Sequence, residues 1–162
     1  MTKLISIDDL HALSQEAQAA PRRRMNRNLH VALADPVQRL FNAFEPGTYV
    51  RPHRHAHGDR WELFLVVSGK AAVLTFDDGG KVAERFELDA AGPLRLVEIA
   101  AGAWHTVASL APGTVLFEVK PGPYAPPAEK EVADWAPAEG APRAAALERW
   151  LRGARPGDTG PA

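Results

Sequence analysis

An all-β fold is predicted for this 162-residue chain: an antiparallel sandwich or barrel with a short helix before it and a helical tail after it. Two observations carry that prediction. Between Val37 and Lys120 the chain breaks into about eight short apolar or alternating runs separated by turn residues, the pattern of half-buried antiparallel strands. Helical periodicity, by contrast, is confined to the two flanks.

The elements follow in order. Ser6, with Asp9 three residues on, caps a helix over Ile7 to Ala19 that puts Leu10, Leu13 and Ala17 on one side, and Pro21 with Arg22, Arg23 and Arg24 ends it. Arg24, Asn26, Asn28 and His30 alternate over a segment too polar for a core strand, which reads either as a lid across a barrel mouth or as a solvated connector. The strands are expected at Val37 to Phe44, Thr48 to His55, Trp61 to Val67, Ala71 to Phe76, Val82 to Leu88, Leu94 to Ile99, Trp104 to Ala108 and Thr114 to Val119. Asp77-Asp78-Gly79-Gly80 is the clearest hairpin turn, because its residues tolerate positive φ. After Pro121 the composition turns to Pro, Gly, Ala and charge, with a short helix over Arg143 to Leu151. The organisation expected is therefore residues 1–36 as helix and polar lid, 37–120 as barrel and 121–162 as tail.

Composition narrows the function. A net charge of -1 argues against general nucleic-acid or membrane-surface binding, which draw on a basic excess. With no cysteine there are no disulfides and no thiolates, so a metal would need nitrogen and oxygen ligands. Met1 to Leu10 lack a basic region followed by an apolar core, and no apolar run approaches a membrane span, so a cytoplasmic, non-membrane protein is expected.

The chemistry-bearing residues are His53, His55, Glu62 and His105. On an extended segment Tyr49, Arg51, His53 and His55 share one face, with Pro52 and Arg54 on the other. Glu62 shares a face with Phe64 and Val66, and His105 with Val107. A carboxylate among such neighbours is costly to bury unpaired, so a cation is a sensible partner, although a salt bridge to Arg51 would also satisfy it. His57 is the nearest rival ligand, or a loop or outer-sphere histidine, since it stands in a turn with Gly58 and Asp59.

The spacing of Gly47, His53, His55, Glu62 and Gly69, followed by Gly102 and His105, resembles the two motifs of the cupin superfamily. A closer resemblance lies in Asn28-Leu29-His30, Gln38-Arg39-Leu40, Pro46 to His55, Phe76-Asp77, Gly102 to His105 and Glu118 to Tyr124. These blocks look like the WbuC family of cupin-fold metalloproteins. The resemblance implies a jelly-roll barrel, a bacterial protein often associated with surface-polysaccharide gene clusters, and metal ligation by His53, His55, Glu62 and His105. The chain departs from the general cupin pattern in the longer spacing from His55 to Glu62, in Ala100 where proline is usual and in Ser109 where asparagine is usual.

Such a ligand set suits one divalent transition ion, iron, manganese, nickel, cobalt or zinc, and suits magnesium poorly. Around it Arg51 is the candidate for binding a carboxylate or phosphate, unless it is paired with Glu62, Glu45 or Glu98. Tyr49, Asn28, His30, Gln38 and Asn42 complete the candidate substrate-binding set. Two functions are expected to compete: a metal-dependent enzyme on a small polar or anionic molecule, with a carbohydrate or nucleotide-sugar intermediate favoured by the resemblance, and a non-catalytic metal-dependent binding or regulatory module. An isomerase or epimerase, a lyase and an oxygenase all remain open. Both faces of Trp61 to Val67 are apolar, which leads to the expectation of a homodimer unless the tail covers the outer one.

Overall fold

The computed structural model describes residues 2–55, 60–125 and 131–161; His57 lies outside them. Helix α1 (Ile7–Ala19) starts at Ser6, whose hydroxyl accepts from the Asp9 amide while the Asp9 carboxylate accepts from the Ser6 amide, the reciprocal box expected from the sequence. A short strand follows, β1 (Arg24–Asn28), then β2 (Val37–Phe44), β3 (Glu62–Ser68), β4 (Lys70–Phe76), β5 (Val82–Asp89), β6 (Leu96–Ile99), β7 (Trp104–Ser109) and β8 (Thr114–Pro121), and finally α2 (Ala144–Leu151). They form two antiparallel sheets, one of five strands ordered β1-β2-β8-β3-β6 and one of three ordered β5-β4-β7. The strands are mostly those expected, and the two-sheet plan with a helix at either end agrees with a cupin. No hydrogen-bonded ladder closes the two sheets into one barrel among the described residues.

Two expectations are corrected. The polar run before the barrel is a true strand: β1 pairs with β2 from Arg24 opposite Phe44 to Asn28 opposite Leu40. An edge strand tolerates that polarity because its outer side meets solvent. The segment over Thr48 to His55, in turn, is not a strand. Pro52 offers no amide, so no regular ladder forms, and pairing shrinks to bridges of His53 with His105 and Val132.

Three apolar clusters explain how the layers hold. Phe44, Phe64, Val66, Val73, Leu88, Val107 and Leu116 fill the space between the sheets. Leu13 and Ala17 of α1 pack on Ala43 and Val115, with Val67 against them, so α1 covers part of the outer side of the five-stranded sheet. On the far side the tail supplies Ala133, Ala136, Leu147 and Leu151, which pack on Tyr49, Leu74, Phe76 and Ala108 over the three-stranded sheet. Both outer faces are thus at least partly covered from within the chain. Trp135 anchors the tail, its ring 5.1 Å from that of Phe76. The hairpin glycine Gly80 (φ 84°) makes room for it, since a Cβ there would stand 2.6 Å from the indole. Gly69 (φ 69°) is equally constrained, because a Cβ would come within 2.6 Å of Thr114 Oγ1 at the β3–β4 turn. Among the described residues no helix is long and apolar enough to cross a membrane.

Candidate metal centre

The site is assembled from both sheets and from the connector that joins β2 to β3. Glu62 opens β3, opposite Ile99 of β6, and its side chain is 3% exposed. His105 comes from β7, opposite Thr75 of β4. His53 is tied to His105 by two backbone hydrogen bonds, His53 N–H to His105 O at 3.0 Å and His105 N–H to His53 O at 2.8 Å, which sets the two side chains abreast. His55 follows two residues on. One ligand atom from each of His53, His55, Glu62 and His105 lies within 4.8 Å of the others, a group that could hold a metal ion.

Hydrogen bonding assigns the tautomers that a metal needs. His53 Nδ1 donates to Arg51 O at 3.0 Å and His105 Nδ1 to Ala103 O at 2.9 Å. Each ring then turns an unprotonated Nε2 into the cluster, the usual outer-sphere arrangement of a ligating histidine. His105 Nε2 lies 2.8 Å from Glu62 Oε2. Two acceptors at that distance repel unless a proton or a metal cation stands between them. His55 Nε2 is buried, 3.4 Å from the same oxygen and without a hydrogen-bond partner among the described residues. Burial, reinforced by His105, lowers the His53 pKa to about 3, so its ring is neutral and ready to ligate. Burial alone would raise the Glu62 carboxyl; the Lys120 ammonium, with His105 and His55, outweighs it and holds the group well below the usual carboxylate range. The donor set, its tautomers and its charge state all fit a divalent transition metal.

Behind the cluster runs a chain of polar groups on β8 and β2, Glu118 and Asn42 buried and Lys120 half-buried. Lys120 Nζ is 3.0 Å from Glu62 Oε1 and 2.5 Å from Glu118 Oε1, and the Asn42 amide donates to Glu118 Oε2. Burial, then the nearby Glu62, push Glu118 up to about 8. Burial opposes the charge on Lys120, but the two carboxylates overcome it and raise its pKa. A cavity of about 620 Å³ opens over these groups, with His53, Glu62, His105, Glu118, Lys120 and Asn42 on its polar side. Phe44, Val50, Phe64 and Val107 form apolar wall, and Arg22, Arg24 and Asn26 also line it. A smaller one of about 160 Å³, lined by Gln38, His55 and Trp61, shares His53 and Lys120 with it.

The candidate substrate-binding residues are distributed differently from the sequence expectation. Asn42 reaches the large cavity and Gln38 the small one, where its amide also donates to Asp35 O at 2.9 Å. Arg51 turns away: its guanidinium Nε donates to Ala133 O at 3.0 Å, in the tail. Tyr49 does the same, its hydroxyl donating to Pro137 O at 2.8 Å. Asn28 is exposed and accepts from the Asn26 amide at 3.1 Å. His30 is buried, its Nδ1 accepting from the Arg39 amide at 3.1 Å. Neither Asn28 nor His30 lines either of these cavities. Tyr49 and Arg51 do not share a face with His53 and His55, because that alternation requires a regular strand, which Pro52 prevents. Lys120 and Glu118 went unassigned, although the signal was present: on β8 they alternate with Leu116 on the face that turns inward, where charge is out of place without a purpose.

Solved structures share this fold. BH2720 from Bacillus halodurans superposes with a TM-score of 0.55 at 18% identity, over 78% of this chain and 85% of its own. SPY1581 from Streptococcus pyogenes, of unknown function, does so at 0.52 and 16%, over 77% and 91%. A cupin superfamily protein of Desulfitobacterium hafniense, DSY2733, aligns at 0.49 and 17%, over 67% and 86%. No curated protein matches the chain in sequence. One family does match, over residues 5–88, just over half of the chain and including His53, His55 and Glu62. The chain therefore belongs to the family described as Domain of unknown function (DUF6016).

Proposed function

We propose that this protein is a metal-dependent enzyme acting on a small polar or anionic molecule bound in the 620 Å³ cavity, with one divalent transition metal held by His53, His55, Glu62 and His105. One observation carries the reading: three members of the ligand cluster, His53, Glu62 and His105, line the same cavity as two ionisable groups outside it, Lys120 and Glu118. A binding module needs only affinity, whereas a catalyst needs titratable groups beside the bound molecule, and these are in place. When bound, the metal supplies Lewis-acid polarisation of a substrate oxygen or a site for dioxygen. Lys120 holds Glu62 Oε1, so Oε2 is the oxygen turned to the histidines. Glu118, raised to about 8, is a group that can take or give a proton near neutral pH, and Asn42 orients it. Phe44, Phe64 and Val107 give the same cavity its apolar wall.

A carbohydrate or nucleotide-sugar intermediate as substrate rests on the WbuC resemblance of the sequence blocks. Elemental analysis of purified protein, followed by turnover assays with sugar acids, nucleotide sugars and simple carboxylates, tests the proposal. Stoichiometric metal in the wild type and none in a His53→Ala/His55→Ala variant is the expected result. Equal, specific metal content in both would reject the ligand set. Metal binding with a bound compound that is never converted, in wild type and Lys120→Met alike, would replace the enzyme with a non-catalytic binding module.

A further inference from the structure

Arg22 and Arg24 follow the first helix and line the large cavity whose wall carries His53, Glu62 and His105 of the metal cluster. Glu139, from the tail, meets both. Arg22 Nε and Nη2 each donate to one oxygen of its carboxylate at 2.6 Å, and Arg24 Nη2 donates to Oε2 at 2.8 Å. Planar forks closing on two oxygens are the geometry by which arginine recognises carboxylates and phosphates. Here the anion is supplied by the protein itself.

We propose that Arg22 and Arg24 are an anion subsite of the cavity, filled by the Glu139 carboxylate until an anionic group of the bound molecule displaces it. The inference deepens the function proposed above and rests on that reading of the cavity. Charge placement supports it. Lys120 already faces two carboxylates, Glu62 and Glu118, so the metal end of the cavity holds no spare cation in its side chains. Arg22 and Arg24 share one carboxylate between them, which leaves an excess positive charge. Arg51, the sequence-level candidate for this task, is engaged with Ala133 instead.

The two arginines are also prepared for exchange. Arg24 is held in position by a second hydrogen bond, Nη1 to Tyr49 O at 2.7 Å, and its side chain is only 18% exposed. Arg22 and Glu139 are 62% and 36% exposed, so their pairing is screened by water and is easily surrendered to a competing anion. A ligand of the matching class carries a carboxylate or phosphate to the arginines and an oxygen donor toward the metal cluster.

The full-length protein, both metal-free and metal-loaded, is titrated with inorganic phosphate and separately with acetate, following the Arg side-chain Nε resonances. Glu139→Gln removes the internal competitor and should tighten the binding of the preferred anion about two- to fivefold, the most an exposed ion pair supplies. Arg24→Gln and Arg22→Gln should each weaken it by roughly tenfold or more. A response to phosphate alone or to acetate alone identifies which oxyanion the subsite takes. Unchanged affinity for both anions in Glu139→Gln overturns the proposal. If Glu139→Gln proves poorly folded by circular dichroism, unchanged affinity in Arg22→Gln and Arg24→Gln overturns it equally. The metal-free arm separates the two readings: anion binding that responds to these variants in a protein taking up no metal upholds the subsite while removing the metal from the proposed function.

Discussion

Residues 48–51 and 53–55 are neighbours in one connector, and the fold puts them to different uses. Tyr49 and Arg51 donate to Pro137 O and Ala133 O and so fasten the tail over the three-stranded sheet. His53 and His55 face the opposite way and join Glu62 and His105 between the sheets. The hinge between these uses is Pro52, whose carbonyl accepts from the Ala133 amide while its own nitrogen has nothing to donate. The difference teaches that one short segment can serve stability with its first half and present candidate metal ligands with its second, and that the two properties should separate under mutation.

His105→Ala should have the largest effect, on the metal side alone. It removes one ligand and the backbone-fixed imidazole nearest Glu62, and metal affinity should fall at least about a hundredfold, read by competition with a chelator. Retained affinity would place the ion elsewhere. Leu151→Ala, in α2, acts on the tail side: the residue is 1% exposed, and its truncation should cost about 2–5 kcal/mol of unfolding free energy in urea. Metal affinity should not change, and a parallel loss would show that the tail and the metal centre are one cooperative unit.

Acid offers a further contrast. His53 has a folded-state pKa of about 3 against an ordinary value of 6.5, because of burial and then its neighbour His105. The unfolded chain therefore binds a proton that the folded one refuses, so this contribution is fully present above about 6.5 and is lost as pH falls toward about 3. Urea titrations of the metal-free protein across that range should show declining stability, and His53→Gln should flatten the decline; an equal slope in both would assign it to other groups. Arg51→Lys is the smallest expected effect. It keeps the charge but loses the fork on Ala133 O, and should cost about 1–2 kcal/mol of stability with metal and phosphate affinities unchanged. A fall in phosphate affinity would return Arg51 to the binding site.

Much of the layout was legible because it is local. Apolar alternation placed seven of the eight strands, Ser6 and Asp9 marked the first helix, and turn residues marked the β4–β5 hairpin. The candidate ligand group was legible too, from side-chain identity and spacing, since each member sits on a short element or next to one. The polar strand β1 was not, because its stability comes from the amides and carbonyls of β2 rather than from its own side chains. The tail's grip on Tyr49 and Arg51 was not, because it joins residues more than eighty positions apart.

By itself, then, the sequence determined an all-β chain with an imidazole and carboxylate set spaced to converge on a cation, since hydrophobic period, turn chemistry and side-chain identity are properties of neighbouring residues. Only the tertiary structure decided that Lys120, Glu118 and Asn42 stand behind Glu62, that Arg22 and Arg24 line the same cavity with Glu139 between them, and that Arg51 does not. Those pairings depend on which carboxylate or carbonyl a long charged side chain meets once distant segments are packed together, and the energy of burying a charge is settled there and not along the chain.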